Sequence, residues 1–222
     1  MTSLDITDGI AVLTIGDDEN RFTLAWLDEV EATLDRVVAA GTPLVTTGAG
    51  KFFSNGLDLE WALANPGEFA GYAQRVERLL ARFLALPVPT VAAVNGHAFG
   101  AGAMLALAHD WRVMRTDRGF FCLPEVDIRI PFTPGMAALI QAKLSPRAAV
   151  DSMTTGTRFG GPDAAAAGIV DATAAEESLL ADAVARVAPL AGKDVATLGA
   201  IKSTMFAATL DLLQGPGEGS PA

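Results

Sequence analysis

The sequence is poor in the residues that build disulfides, metal centres and nucleic-acid-binding surfaces. It has one cysteine, Cys122, which excludes a disulfide framework within the chain and predicts a reducing compartment, the cytoplasm. With that cysteine and only two histidines, His97 and His109, no metal-ligand set stands out, so we predict no metal site. The 26 acidic residues outnumber the 16 lysines and arginines, for a formal net charge of −10. That balance argues against nucleic acid or an anionic membrane as a partner.

Long uninterrupted hydrophobic runs are also missing. The most lipid-like window, residues 91–108, contains Asn95 and His97 and is interrupted by three glycines. A membrane-spanning helix needs about 20 consecutive apolar residues, so we interpret this window as a buried segment of a globular protein. Half of the 222 residues are hydrophobic, which is enough for one domain with a sizeable core.

Hydrophobic periodicity and turn residues predict an α/β layered fold. A hairpin is expected around the Asp-Gly pair at residues 8–9, which favours a type I′ turn. Helices are predicted over residues 24–40 and 68–86, where apolar residues recur at helical spacing. The near-continuous apolar run at residues 90–96 indicates a strand buried on both faces, as in a parallel sheet. Beyond residue 134 the chain is expected to be mostly helical, so helices cluster at the C-terminal end.

Two segments rich in small residues each lead from a buried strand into a helix. They span residues 51–59 and 95–102. In both, backbone N–H groups near a helix N-terminus lack intrahelical partners. Two N–H groups from different loops, aimed at one atom, would form an oxyanion hole, in which each donor stabilises a transition state by about 3 kcal/mol. The spacing is equally compatible with two tight strand-to-helix turns selected for packing.

The third feature is an acidic residue in CLPEVDI, residues 122–128. Pro124 favours an extended Leu123, so Glu125 is expected to project from an apolar stretch. Desolvation there would raise the pKa of the carboxyl towards neutrality, which suits a general base. The alternative interpretation is a surface glutamate on a loop.

Together these segments resemble the crotonase superfamily, the enoyl-CoA hydratase/isomerase family, over residues 4–206. The resemblance rests on GAGKFFSNGLDL, PTVAAVNGHAFGAGAMLALAHDWRVM and LPEVDI, in that order and spacing. It implies an α/β crotonase-like (ClpP/crotonase) fold, a spiral of ββα repeats with a helical C-terminal region, and assembly as a homotrimer or a dimer of trimers. The implied divisions are a spiral core over residues 1–190, a helical segment over 191–213 for oligomerisation or as a lid over CoA, and a flexible tail over 214–222.

The resemblance also implies roles for particular residues. It places the two oxyanion-hole N–H donors at Ser54 and Ala101 and the catalytic acid/base at Glu125. Hydratases of the family carry a further glutamate, and Met104 occupies its position here. Adding water calls for two groups, whereas a single carboxylate can still shift a double bond. The motifs most resemble the monofunctional Δ3-Δ2 enoyl-CoA isomerases of fatty-acid β-oxidation, which act on acyl-CoA thioesters.

By the same resemblance, Arg21 and Lys202 are expected to bind the CoA phosphates, although each is equally compatible with an ordinary solvated cation. Aromatic and apolar side chains are expected to bind the substrate and line its acyl tunnel, and each would also suit the core. These side chains are Phe53, Leu59, Trp61, Phe121 and Phe132. Because CoA is part of the substrate, no cofactor is expected. The alternative functions are another crotonase-type reaction, such as a hydratase, thioester hydrolase or decarboxylase, and a non-catalytic acyl-CoA-binding protein.

Overall fold

The computed structural model of the chain describes residues 2–215. Nine strands lie within this range: β1 Ser3–Thr7, β2 Ile10–Thr14, β3 Leu44–Thr47, β4 Phe52–Ser54, β5 Thr90–Val94, β6 His97–Phe99, β7 Trp111–Arg115, β8 Phe121–Cys122 and β9 Ala172–Ala174. The α-helices in the same range are α1 Leu24–Ala40, α2 Leu59–Ala64, α3 Phe69–Leu84, α4 Ala101–Ala108, α5 Glu125–Ile128, α6 Pro134–Lys143, α7 Pro146–Thr155, α8 Gly161–Ala166, α9 Leu179–Val187, α10 Val195–Met205 and α11 Ala207–Gln214.

From β3 onward, successive strands alternate between two sheets, which winds the chain into a spiral. The larger sheet has six strands in the order β1-β2-β3-β5-β7-β9, and the smaller has three in the order β4-β6-β8. Each of β3, β5 and β7 is followed directly by a strand of the smaller sheet, so each turn of the spiral adds one strand to each sheet. The β1–β2 hairpin is antiparallel, and the other paired strands run parallel. The α/β crotonase-like spiral that the sequence predicts is therefore confirmed.

Local signals account for the first hairpin and the first helix. Asp8 and Gly9 have φ angles of 52° and 74°, as a type I′ turn requires. The Thr23 hydroxyl accepts the Trp26 N–H at 3.1 Å and caps α1. Gly41 ends this helix in the left-handed conformation, with φ 63°.

The central strand β5 of the six-stranded sheet is buried on both faces. Along β5, Ala92 and Val94 belong to the main core, which the sheet shares with α1, α3, α4, α6 and α11. The alternate residues Val91 and Ala93 belong to a second, smaller core that includes Leu179 of α9. Successive side chains of a strand point to opposite faces, so this division confirms the two-sided burial expected of the apolar run.

His109 is a structural histidine inside this fold. Its side chain is fully buried, with Nδ1 2.8 Å from the Leu105 carbonyl oxygen and Nε2 2.8 Å from Thr46 Oγ1. Desolvation lowers the pKa of the imidazole to about 3, so the ring is neutral at physiological pH.

Several short elements differ from the sequence-based expectation. The two segments over residues 51–59 and 95–102, each expected to lead from a strand into a helix, also contain the short strands β4 and β6. A further strand, β9, lies in the region expected to be mostly helical. Strands of two or three residues carry no alternating pattern, and they form here because a neighbouring strand is available to pair with them.

The C-terminal helices pack on the same core as the spiral. Helix α11 packs against α3 and α6, and its Leu210 and Leu213 are buried in the main core. The predicted tail over residues 214–222 begins at the last residue of α11, and residues 216–222 lie outside the described residues. Within residues 2–215, each helix is too short or too polar to cross a bilayer.

Candidate active site

The candidate functional groups lie at one edge of the three-stranded sheet. Ser54 is the last residue of β4, Ala101 lies two residues beyond β6, and Glu125 lies three residues beyond β8. These three strands are adjacent and parallel, so their carboxyl ends meet at the same edge. The carboxyl edge of a parallel sheet is where ligands bind in α/β proteins in general.

The two glycine-containing loops are in direct contact. A β-carbon added to Gly102 would overlap the Ser54 carbonyl oxygen and lie 2.8 Å from Ser54 Cβ. One added to Gly56, which has a left-handed φ of 74°, would lie 2.9 Å from the Ala101 nitrogen. Only glycine permits such close backbone approach. The glycines therefore bring the loop after β4 against the N-terminus of α4.

A cavity of about 200 Å³ lies at this junction. It is lined by Arg21, Asn55, Leu57, Leu59, Phe99, Gly100, Ala101, Met104, Pro124, Glu125, Ile128, Ile130, Pro131 and Met136. Among these described residues, the titratable groups are one carboxyl and one guanidinium. A mainly apolar cavity with a few convergent polar groups is typical of a small-molecule site.

The Glu125 carboxyl is buried in this apolar setting. The residue begins α5, three residues beyond β8, and it is 8% exposed. Within the described part of the chain its Oε2 has no hydrogen-bond partner, and Oε1 faces the α-carbon of Gly100. Desolvation raises the pKa of the carboxyl to about 7. A group with that pKa can both accept and return a proton near neutrality.

Of the two predicted N–H donors, Ala101 lines the cavity as the first residue of α4. The preceding Gly100 adopts φ 52° and ψ −122°, a conformation that a side chain would strain. Ser54 lies directly behind the lining, fully buried, and its neighbour Asn55 reaches the cavity. The Asn55 N–H is already donated to the Glu19 carbonyl oxygen at 2.8 Å. The donor role of Ser54 and Ala101 stays a prediction.

Comparison with known proteins agrees with this geometry. Residues 5–215 match the sequence profile of the family described as enoyl-CoA hydratase/isomerase. The chain belongs to the enoyl-CoA hydratase/isomerase family. It is 41% identical over 183 residues to enoyl-CoA delta isomerase 3 of Arabidopsis thaliana, covering 78% of this chain and 77% of the relative.

Solved structures extend the likeness to the fold. The human mitochondrial delta3-delta2-enoyl-CoA isomerase superposes with a TM-score of 0.87 at 25% identity, covering 94% of this chain and 84% of that one. A probable enoyl-CoA hydratase of Mycobacterium tuberculosis superposes with a TM-score of 0.89 at 27% identity, covering 96% and 91%. The fold is therefore common to relatives named as isomerases and as hydratases, and the site residues must distinguish them.

Arg21 lies at the rim of the site of this enoyl-CoA hydratase/isomerase family member. Its Nη1 donates to the Leu57 carbonyl oxygen at 3.1 Å, and its Nε is 2.6 Å from the Glu19 carboxylate. The side chain is 35% exposed, so the guanidinium faces both the cavity and solvent. At this position the guanidinium could bind an anionic group of a ligand that extends out of the cavity into solvent.

The predicted aromatic lining is only partly brought together. Leu59 lines the cavity, and Phe132 lines a neighbouring cavity of about 510 Å³ that also borders Glu125. Phe53 and Phe121 are fully buried instead, and their side chains belong to the main hydrophobic core. Trp61 is half-buried, with its ring centroid 5.2 Å from that of Tyr72, and is not among the lining residues.

Lys202 corrects the expectation of a second CoA-binding cation. It is 4% exposed, and its Nζ donates to Asp110 Oδ2 at 2.6 Å and to the Val88 carbonyl oxygen at 2.8 Å. A buried ammonium with these partners cannot also reach a phosphate in solvent. Its role in this structure is to fix α10 to the segments that flank β5 and β7.

Replacing Lys202 by methionine is expected to cost stability and not substrate affinity. The change leaves the Asp110 carboxylate without its counter-ion, at a cost of about 3 kcal/mol in the free energy of unfolding. Urea denaturation should detect this loss, while the KM for an acyl-CoA stays unchanged. Arg21→Ala is the comparison variant and should raise the KM. A higher KM for Lys202→Met with unchanged stability would restore the original expectation.

Several lining residues escaped the sequence interpretation. Ile130, Pro131 and Met136 lie in the loop after α5 and the start of α6. Their apolar side chains resemble any core segment in sequence, and only the fold shows that they border a cavity. In the sequence, the informative feature of this stretch, IPFTPGM, is that it contains no carboxylate, so it offers no alternative to Glu125 as an acid/base.

Proposed function

We propose that this family member is a Δ3-Δ2 enoyl-CoA isomerase in which Glu125 is the acid/base. The observation that carries the proposal is the composition of the cavity: among its described lining residues Glu125 is the one carboxylate, and Met104 is an apolar neighbour. The family resemblance assigns the position of Met104 to the further glutamate of a hydratase. Relatives at 41%, 38% and 37% identity are named enoyl-CoA delta isomerases, which supports an isomerase.

The reaction needs one base that serves two neighbouring carbons. Ionised Glu125 removes a proton from C2 of a 3-enoyl thioester, and the electrons move into the thioester oxygen to form an enolate. The N–H groups of Ser54 and Ala101 stabilise this oxyanion, each by about 3 kcal/mol. The protonated carboxyl then returns the proton to C4, which leaves the double bond between C2 and C3. The pKa of about 7 suits both halves of this transfer.

Hydration is disfavoured by the same residues. Water addition needs one group to activate water and another to move the α proton, and the thioether of Met104 can do neither. Met104 lines the cavity and is 1% exposed, so its apolar side chain fills this part of the wall. No acid or base from solution can act from that position.

The remaining properties follow from this proposal and from the composition. Arg21 is proposed to bind a phosphate of CoA, which enters as part of the substrate, and no further cofactor is proposed. A homotrimer or dimer of trimers is proposed from the family resemblance. The lone Cys122 supports a reducing compartment, for which we propose the cytoplasm, although two of the Arabidopsis relatives are named as peroxisomal.

The decisive experiment is a product analysis with 3-hexenoyl-CoA. We expect the conjugated 2-enoyl thioester, detected by its ultraviolet absorbance, with the mass of the substrate unchanged. With 2-hexenoyl-CoA, a mass gain of one water would indicate a hydratase, and with either thioester, release of free CoA would indicate a thioester hydrolase. With a carboxylated acyl-CoA, loss of carbon dioxide would indicate a decarboxylase. Binding of the thioester without any turnover would indicate a non-catalytic acyl-CoA-binding protein.

A further inference from the structure

Asn20 is a buried polar residue in the segment between β2 and α1, and it contacts one of the predicted oxyanion loops. It is 1% exposed and adopts a left-handed φ of 49°. Its own N–H is donated to Asp18 Oδ1 at 2.7 Å. Burial of a carboxamide is unfavourable unless its hydrogen bonds are made, so its contacts indicate what it does.

The Asn20 side chain binds consecutive backbone carbonyls of β4. Nδ2 donates to the Phe53 oxygen at 2.9 Å and to the Phe52 oxygen at 3.2 Å. In return, the Ser54 hydroxyl donates to the Asn20 carbonyl oxygen at 2.7 Å. One residue thus holds all three residues of the strand that ends at a predicted N–H donor.

These contacts coincide with an irregularity in the sheet. Phe52 pairs with His97 and Ser54 pairs with Ala98, so two steps on β4 correspond to one step on β6. Phe53 is therefore the extra residue of a bulge, which interrupts the regular ladder and re-aims the chain that follows. Asn20 supplies the hydrogen bond that the Phe53 carbonyl requires.

The same residues extend the connection to the second loop. Ser54 Oγ accepts the Gly56 N–H at 3.0 Å, and a β-carbon added to Gly56 would lie 2.9 Å from the Ala101 nitrogen. Asn20 is thus connected through Ser54 and Gly56 to both predicted donors.

Packing alone does not account for asparagine at this position. Its Oδ1 is buried and has no hydrogen-bond partner among the described residues, which costs stability. A left-handed backbone would be less strained with glycine. Strained and incompletely satisfied residues are typical of functional sites, where geometry is retained at the expense of stability.

We propose that Asn20 is a positioning residue that holds the bulge of β4, so that the Ser54 N–H points at the thioester oxygen of the substrate. The proposal rests on the oxyanion role given to Ser54 in the proposed function. It adds to that function a residue that lies outside the three motifs and does not line the cavity.

The test uses Asn20→Gly, because glycine keeps the left-handed backbone and removes only the carboxamide. Affinity is measured for two ligands, 2-hexenoyl-CoA and hexyl-CoA, a thioether that lacks the carbonyl oxygen. We expect the variant to bind the thioester about tenfold more weakly and the thioether unchanged, since only the first uses the oxyanion donors. For 3-hexenoyl-CoA, kcat is expected to fall about 30-fold with little change in KM.

The matched control is Val37→Ala, which removes buried methyl groups from α1, remote from the site. It should lower the melting temperature and leave both affinities and kcat unchanged. If Asn20→Gly does not fold, Asn20→Ala removes the amide donors without placing a carboxyl group beside the Phe52 and Phe53 carbonyl oxygens, and it should give the same selective loss. Equal loss for thioester and thioether, or no loss for either, would overturn the proposal. The binding comparison requires no turnover. It can therefore show that the Asn20 proposal is wrong independently of whether the protein catalyses the proposed isomerisation.

Discussion

Glu125→Gln is expected to reduce kcat/KM for 3-hexenoyl-CoA by about 10³-fold, because glutamine cannot accept the C2 proton or return it at C4. Glutamine has nearly the same shape, so substrate binding should persist. Steady-state kinetics and a direct binding measurement would separate these effects.

In the wild type, kcat/KM should rise with pH through about 7 and then level, since the ionised carboxylate is the base.

The same substitution should stabilise the fold, with a defined pH dependence. The pKa of Glu125 is raised from 4.5 to about 7 in the folded state, so the unfolded chain releases the proton at lower pH. The stability contributed by the neutral carboxyl is therefore complete below pH 4.5 and is lost as pH rises through 7. At pH 8, Glu125→Gln should exceed the wild type by about 3 kcal/mol, and near pH 4.5 the two should be equal. Urea denaturation at both pH values measures this difference.

Asp127→Asn is the matched control for Glu125→Gln. Asp127 lies in the same short helix, but it is exposed and does not line the cavity. Its replacement should leave both the kinetics and the pH profile close to the wild type. Full activity of Glu125→Gln, or an equal loss for Asp127→Asn, would contradict the assignment of Glu125.

Gly102→Ala is expected to damage both stability and catalysis. The added methyl group would overlap the Ser54 carbonyl, and its nearest neighbours are backbone atoms that cannot turn aside. Such overpacking costs about 3 kcal/mol, and it moves the loop after β4 away from α4. Displacing a reacting group by about 1 Å costs about 10²-fold in rate, so we expect a loss of that order in kcat. Thermal melting and steady-state kinetics, both well below the melting temperature, would measure these losses.

Gly71→Ala provides the control for this prediction. Gly71 lies in α3, and a β-carbon there would meet no atom within 4 Å among the described residues. Alanine is the better helix former, so this variant should gain about 0.5–1 kcal/mol and keep full activity. If Gly102→Ala behaved in the same way, the close contact between the two loops would not matter for the reaction.

The fold could be predicted where local signals are strong. Thr23 and Gly41 mark the ends of α1 in the sequence, and the Asp8-Gly9 pair determines the turn of the first hairpin. The strands β4 and β6 gave no such signal, because each has only three residues and depends on a neighbouring strand for pairing. Their existence follows from the spiral, in which the partner strand comes from the next turn, at least 20 residues away in the sequence.

The site was predictable to the extent that its residues lie in recognisable motifs. Glu125 and Ala101 were found in this way, and the structure places both at the cavity. Phe53 and Phe121 were expected there too, but an aromatic residue on a sheet can face either side, and both face the core. Lys202 illustrates the converse problem, since a sequence shows a cation but not the carboxylate that pairs with it. Asn20 belongs to none of the motifs, and only its contacts reveal it.

The placement of Ser54, Ala101 and Glu125 at the ends of three neighbouring short strands has an evolutionary consequence. The six-stranded sheet forms the scaffold, while the proposed chemistry uses single residues from the three connections that follow β4, β6 and β8. A lineage can therefore exchange one connection at a time and acquire a new reaction without rebuilding the scaffold. In the proposed function Met104 marks such a position, since one side chain in α4 decides whether the site holds a second acid/base group.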